Sequence, residues 1–364
     1  MEYIFEDVLE IKNGKNQKAV ENPKGQYPIY GSGGVMGYAD DYICEADTVV
    51  IGRKGSINNP IYVSEPFWNV DTAFGLSAKR NILLPRYLFY FCKKFNFEEL
   101  NKTVTIPSLT KSDLLKVKID LPEISIQQEV IDKLSKIESI INLRKNELVI
   151  LNDLIKARFV KMFGDTKTNN MGWNQVQLKD IAEVRGRVGW KGYKKEDLRE
   201  EGPLVLGATH LTDNGEIDLS VPVHLSKEKY EESPEIFLQK GDLIFTQRGN
   251  TIGKVGLIEN DIGEATINPC VLILRPINIH PIYFKSYFVM DATKNDMWKL
   301  NSGSAQPMIT QKGIGEYIMT VPPLELQNQF ADFVKEVEKS KVAVQQALDK
   351  AQLLFDSLMQ QYFG

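Results

Sequence analysis

Cysteine is scarce in this chain: Cys44, Cys92 and Cys270 are the three among 364 residues. An odd number spaced so far apart excludes a disulfide framework and a zinc knuckle, and fits reduced thiols in a cytosol. Histidine is equally rare. His210, His224 and His280 have no His-x-x-x-His or Cys-x-x-Cys company, so the ligand spacing of a metal centre is missing. No apolar run approaches the roughly 18 residues of a membrane span, and Met-Glu at the start is not a secretory signal, so a cytoplasmic protein is expected. Positive charge is not in excess either. The 44 Lys and Arg face 48 Asp and Glu, for a net charge of −4. That total does not advertise a nucleic-acid binder, although a local basic surface matters more for phosphate binding than the sum.

Catalytic signatures are missing as well. "GNTIGKV" (Gly249–Val255) has too few residues between its glycines for a phosphate loop and no Ser or Thr after Lys254. "GSGG" (Gly31–Gly34) lacks the third glycine of a dinucleotide fingerprint. "NNPIY" (Asn58–Tyr62) and "INPC" (Ile267–Cys270) resemble the Asn-Pro-Pro-Tyr loop of adenine methyltransferases without its second proline, and read as turns. No chemistry and no cofactor of the chain's own is therefore expected.

What is present is a repeat. "VKIDLPEISIQQEVIDKL" (Val117–Leu134) returns as "IMTVPPLELQNQFADFV" (Ile318–Val334). Leu121-Pro122 answers to Val321-Pro322, Ile126-Gln127 to Leu326-Gln327, and Pro107, Leu109 and Phe163-Gly164 to Pro307, Ile309 and Phe363-Gly364. Further upstream the offset drifts. "FEDVLEI" (Phe5–Ile11) matches "LKDIAEV" (Leu178–Val184), and "ADTVVIGRKGSI" (Ala46–Ile57) matches "GDLIFTQRGNTI" (Gly241–Ile252), pairing Asp47 with Asp242 and Arg53 with Arg248. The matches keep one order in both halves, as a duplicated module requires. The stretch between the first two matches is 22 residues longer in the second half (185–241) than in the first (12–46).

Within each half the first part is β-rich. Short runs such as "DTVVIG", "DLIFTQ" and "NPCVLILRP" are β-branched and bounded by Gly, Pro, Asn or Asp. "LPRYLFYFCKKF" and "HPIYFKSYFVM" read as amphipathic helices entered through proline. The second part is one long helix. Val130, Leu134, Ile137, Ile141, Leu148, Leu151 and Ile155 recur in steps of four and three, with Arg144 as a break. Val337, Val344, Leu348, Ala351, Phe355, Leu358 and Tyr362 do the same, with Lys341 as the break. Average steps of 3.5 mark a coiled-coil seam, and about 40 residues make a rod of about 60 Å. Each seam's simplest partner is the other, with the rods running in opposite directions about a pseudo-twofold.

Three loops carry binding chemistry. "RGRVGWKGYKK" gathers Arg185, Arg187, Lys191, Lys194 and Lys195 around Trp190 and Tyr193, with glycines that let backbone N–H groups approach phosphate. "TQRGNTIGK" offers Gln247, Arg248, Asn250, Thr251 and Lys254; Arg matches guanine, and Gln or Asn matches adenine, through paired hydrogen bonds in the major groove. The first half offers Arg53, Lys54, Ser56 and Asn58 in the equivalent loop, with Lys12, Lys15 and Lys18 near its start. A solvated hairpin explains any one of these loops; recurrence at matched positions favours binding.

Taken together, the twice-written phrase opening a long helix, the "GDLIFTQRG" run and "QPMITQKGI" (Gln306–Ile314) resemble the specificity (S) subunit of type I restriction-modification systems. The resemblance covers nearly the whole chain. It implies an α/β (α+β) architecture: two β-rich target-recognition domains with short helices (1–121 and 166–321), separated by two long antiparallel helices (122–165 and 322–364) forming a coiled coil. It further implies that each domain reads one half of a bipartite site on double-stranded DNA. The helices fix the gap and dock two methyltransferase subunits, and restriction-translocase subunits are added for cleavage. S-adenosylmethionine, ATP and magnesium belong to those partners. The contacts expected on this chain are Arg53, Lys54, Ser56, Gln247, Arg248, Asn250 and Lys254, with Arg187 and Lys191 as supporting phosphate contacts. Two other readings fit the pattern: the specificity subunit of a related system with fused methyltransferase and nuclease, and a coiled-coil scaffold that does not bind DNA.

Overall fold

The computed structural model describes residues 1–101, 108–187, 192–301 and 307–364. The chain divides into two compact units, Met1–Lys145 with Gln345–Gly364, and Asn146–Val344. Unit 1 runs β1 (Glu2–Ile4), α1 (Phe5–Val8), β2 (Leu9–Asn13), β3 (Tyr27–Gly31), β4 (Gly34–Ala39), β5 (Thr48–Gly52), β6 (Ile61–Val63), β7 (Trp68–Asn69) and β8 (Ala73–Ala78). It continues through α2 (Pro85–Lys94), α3 (Lys111–Leu114) and β9 (Lys118–Asp120) into the long helix α4 (Ile124–Phe163). Unit 2 holds β10 (Asn174–Gln177), β11 (Ala182–Gly186), β12 (Leu198–Leu206), β13 (His224–Leu225), α5 (Lys227–Glu231), β14 (Leu243–Thr246), β15 (Val255–Leu257), β16 (Ala265–Ile267) and β17 (Val271–Pro276). Then come α6 (Pro281–Val289), α7 (Asp291–Lys299), α8 (Gln311–Gly315), β18 (Ile318–Val321) and the long helix α9 (Leu324–Phe363).

The two units share one topology. A four-stranded antiparallel sheet has the order β2-β8-β5-β6 in unit 1 and β11-β17-β14-β15 in unit 2. A three-stranded sheet, with one antiparallel and one parallel pairing, has the order β4-β3-β7 in unit 1 and β13-β12-β16 in unit 2. A two-stranded ribbon, β1-β9 or β10-β18, joins the start of each repeat to the strand before the long helix. The duplicated sequence is thus a duplicated fold.

Each core lies between the four-stranded sheet, the proline-entered helix and the long helices. In unit 1, Val49, Ile51, Phe74 and Leu76 of the sheet pack with Tyr87, Leu88 and Tyr90 of α2, with Val130, Leu134 and Ile141 of α4, and with Phe355 and Met359 of α9. In unit 2, Phe245, Leu272 and Leu274 pack with Tyr283, Phe284 and Tyr287, with Phe159 and Phe163 of α4, and with Phe330 and Val334 of α9. The start of α4 therefore meets the end of α9 in one unit, and the end of α4 meets the start of α9 in the other, which makes the pair antiparallel. Phe330 sits 5.6 Å from Phe159 and 5.4 Å from Phe163, ring edge to ring face. Each such buried aromatic contributes roughly 1.5–3 kcal/mol from burial alone. One expectation needs correction. α6 is not amphipathic: Tyr283 to Val289 are all buried, and its Lys285 is tolerated there by an ion pair with Glu259 at 2.6 Å.

The repeated phrase is explained by its glutamine. Gln127 is fully buried. Its Oε1 accepts from the Leu84 N–H, and its Nε2 donates to the carbonyls of Ile82 and Pro122, all at 2.9 Å. Gln327 repeats the arrangement, accepting from the His280 N–H and donating to the Pro322 carbonyl, both at 2.8 Å. Leu84 and His280 are the residues just before the prolines that open α2 and α6. A glutamine in the first turns of each long helix therefore staples that helix to the proline-entered helix of the same unit.

Candidate nucleic-acid interface

The two candidate reading loops leave the ends of β5 and β14 in the same backbone frame. The Arg53 N–H donates to Thr72 O at 2.8 Å, as the Gln247 N–H does to Cys270 O at 3.0 Å. Arg53 O accepts from the Leu109 N–H at 2.9 Å, as Gln247 O accepts from the Ile309 N–H at 2.8 Å. Lys54 then bridges to Ser108, and Arg248 to Met308. By these contacts Arg53 occupies the place of Gln247, and Lys54 the place of Arg248. The sequence match, which paired Arg53 with Arg248, is off by one residue. The reason is physical: every residue of β5 and of β14 is buried, so neither strand shows the in-out alternation that would fix a register.

Side chains follow from that frame. Arg53, Lys54 and Ser56 are exposed, and the Arg53 guanidinium lies 5.8 Å from the centre of the Phe74 ring. Gln247 is half-buried, with Nε2 donating to Pro269 O at 3.0 Å. Arg248 is half-buried, with Nη2 placed 3.2 Å from Met308 Sδ. Gly249 has a φ of +100°, a left-handed conformation that favours glycine, while its N–H donates to Pro307 O at 3.0 Å. Asn250 is exposed at the tip. The loop closes where the Thr246 N–H donates to Lys254 O at 2.8 Å. Lys254 itself forms an ion pair with Asp213 at 3.0 Å. That ammonium, first by hydrogen bond and then by charge, holds the Asp213 carboxyl below the usual carboxylate range.

The third loop behaves differently. Arg187, expected as a phosphate contact, is 7% exposed. Its Nε donates to Ile267 O at 3.0 Å, its Nη2 to Thr266 Oγ1 at 3.1 Å, and its guanidinium lies 5.5 Å from the Tyr193 ring. Burial pulls its pKa down, although Tyr193 opposes the shift. From that position it braces β16 instead of reaching outward. Arg185 is likewise engaged, with Glu183 and with Glu235 O. Lys191, with Trp190, lies outside the described residues, as does Gln306 of the second matched segment.

Sequence reasoning passed over several groups that shape these loops. Arg275 grips the buried Asp242 through two hydrogen bonds of 2.8 Å beneath β14. Arg80 and Tyr62 hold Asp47 beside β5 at 2.8 and 2.7 Å. The aspartates were visible as matched letters; their arginine partners, 33 positions along in both cases, carried no local signal. The histidines are occupied structurally: the Nδ1 of His210 accepts from the Gly207 N–H at 3.1 Å, and that of His280 accepts from the Ile282 N–H at 3.2 Å. Among the described residues no cluster of His, Cys, Asp and Glu could hold a metal ion, and no helix is long and apolar enough to cross a membrane.

Comparison with known proteins agrees with this duplicated frame. The family model described as "Type I restriction modification DNA specificity domain" matches twice, over residues 2–152 and 170–352. The type I restriction enzyme MjaVIII specificity subunit of Methanocaldococcus jannaschii is 24% identical over 320 residues, covering 80% of this chain and 70% of that protein. The putative type I restriction enzyme specificity subunit S.HindORF215P of Haemophilus influenzae is 21% identical over 359 residues, covering 95% and 90%. Among solved structures, the type I restriction-modification S subunit from M. genitalium superposes with a TM-score of 0.64 at 17% identity, over 100% of this chain and 96% of that one. Two family matches, one on each repeat of a fold built twice, show that the chain belongs to the type I restriction-modification DNA specificity family and is a specificity subunit of that kind.

Proposed function

We propose that each unit reads one half of a bipartite, asymmetric site on double-stranded DNA, and that the antiparallel helices set the gap between the halves. One observation carries this reading: the two loops share a backbone frame but present different side chains. Arg53 stands where Gln247 stands, and Lys54 where Arg248 stands. Equivalent frames with different hydrogen-bonding groups read different base edges, because an arginine fork matches guanine and a carboxamide matches adenine. Arg53, Lys54, Ser56, Gln247, Arg248, Asn250 and Lys254 are the proposed contacts, with Arg187 bracing β16 through Ile267 O and Thr266 Oγ1. The region of Lys191 supplies further phosphate contact.

In this reading the chain is the non-catalytic, cytoplasmic reader of a larger complex. Two methyltransferase subunits dock around the helices, and restriction-translocase subunits join for cleavage. S-adenosylmethionine, ATP and magnesium are bound by those partners. The test is Arg248→Ala, measured on cognate and scrambled duplexes in the complex with the methyltransferase. Loss of a base-edge contact weakens cognate binding by about 1–3 kcal/mol and leaves scrambled binding nearly unchanged. Equal losses on both duplexes would reduce Arg248 to a phosphate contact.

A further inference from the structure

Lys341 interrupts the apolar seam of α9, and its counterpart in the first repeat is Ile141, which is 5% exposed in the core of unit 1. A lysine at such a position needs a reason. Its side chain is 12% exposed, and its Nζ lies 2.8 Å from Glu216 and 3.0 Å from Glu338. Burial works against the charge, but Glu216 and Glu338 more than offset it and raise the lysine's pKa. Glu216 belongs to residues 185–241, the stretch that is 22 residues longer than its counterpart in the first half. The extra segment and the polar break in the seam meet in one contact.

Glu216 lies on a small hairpin closed by the Leu211–Ile217 bridge. Its turn is tight: the Thr212 N–H donates to Glu216 O and the Glu216 N–H to Thr212 Oγ1, both at 3.0 Å. Gly215 has a φ of +79°, and a Cβ there would meet Lys285 Cγ at 2.9 Å, so the turn is pressed against α6. On the other side the Leu257 N–H donates to Gly215 O at 3.0 Å, tying the hairpin to β15. A Cβ on Gly256 would meet Ile217 Cδ1 at 2.4 Å and Leu211 Cδ2 at 2.6 Å. At the tip, Asp213 holds the Lys254 ammonium at 3.0 Å, and Lys294 Nζ donates to Asp213 O at 3.3 Å.

We propose that Lys341 is a positioning residue for sequence reading by unit 2: through Glu216 it fastens the Leu211–Ile217 hairpin to α9, and through Asp213 that hairpin fixes Lys254 and the loop Gln247–Lys254. The helix that sets the gap and the loop that reads bases are thereby joined by a single packed element. This rests on the reading of that loop as a DNA contact.

The test sequences the methylated sites of host cells that express the full chain with its methyltransferase partner. Lys341→Ile installs the first repeat's residue, and Arg248→Ala marks which half-site unit 2 reads. Lys341→Ile relaxes base preference in that same half-site by about 5-fold, a size typical of energetic coupling through packed elements, and leaves the other half-site unchanged. The thermal midpoint of the purified variant changes little, because isoleucine suits the seam and the released Glu216 and Glu338 carboxylates, 42% and 31% exposed, return to water. Glu216→Gln, on the hairpin, gives the same relaxation, and the double variant is no worse than either single. If Lys341→Ile fails to accumulate, Glu216→Gln alone carries the test. Unchanged preference in both variants, with Arg248→Ala still altering its half-site, overturns the positioning role. Equal relaxation of both half-sites with a lowered midpoint also overturns it, as a stability effect. No change with either Arg248→Ala or Lys254→Ala removes the loop's own role and the positioning role with it.

Discussion

Replacing Gln127 by leucine tests the joint between long helix and recognition domain. The two side chains are close in size, so packing is kept while the three hydrogen bonds to Leu84 N, Ile82 O and Pro122 O are lost. The side chain is fully buried, while Ile82, Leu84 and Pro122 are half-buried, so water replaces the lost partners only in part. An orphaned buried backbone group costs about 1–3 kcal/mol. Three half-buried groups, each toward the low end of that range, lose about 3–5 kcal/mol together, and the apolar gain of leucine brings this to roughly 2–4 kcal/mol net. In a unit of this size each kcal/mol moves the thermal midpoint by about 2–4 °C, so circular-dichroism melting should show a drop of about 4–16 °C for unit 1. The neighbouring Gln128→Leu is the control. Gln128 is exposed and bonds only along its own helix, to Asp132 at 2.8 Å, so its change should stay within about 0.5 kcal/mol. Equal melting shifts for the two variants would refute the staple, and with it the explanation of the repeated phrase.

Other outcomes follow from the same geometry. Phe330→Ala removes a ring packed against Phe159 and Phe163 and should destabilise unit 2 by about 3–5 kcal/mol in urea titration. Glu138 is partly buried, which alone would raise its pKa, yet Lys93 and then Arg86 bring it below the ordinary value of 4.5. A depressed carboxyl pKa adds stability at neutral pH and loses it as pH falls through the folded value. The stability gap between wild type and Glu138→Gln should therefore be full near pH 7 and close below pH 4.5; a gap that widens in acid would contradict the assignment. Cys44 and Cys92 are buried, and burial pushes the Cys44 thiol up to about 12, whereas Cys270 is half-buried. A thiol reagent should label Cys270 first in the folded protein, with the other two reacting only on unfolding.

The long helices were the most legible part of the sequence. Their seams repeat over many turns without an interior proline or glycine, and α4 and α9 run 40 residues each. The duplication was legible too, because matched letters keep their order. The loops after β5 and β14 were paired one residue out of register, since strands buried on both faces carry no alternation. Arg187 shows a second limit of pattern. A basic cluster names charge but not direction, and the backbone turns this guanidinium inward to Ile267 and Thr266. α6 was mistaken for an amphipathic helix because covering layers come from distant sequence, the Leu211–Ile217 hairpin among them. Lys341 was visible as a fault in the seam; its partner Glu216, 125 positions away, was not.

The most direct measurement shortens the proposed ruler and leaves both proposed readers intact. Seven residues removed from each long helix, Asn142–Leu148 and Val342–Leu348, shorten the pair by about 10 Å, or roughly three base pairs of DNA, and leave Ile141 and Lys341 in place. Methylation sequencing of cells carrying that variant should show the same two half-sequences separated by a gap about three base pairs shorter. An unchanged gap between unchanged half-sequences would contradict the account.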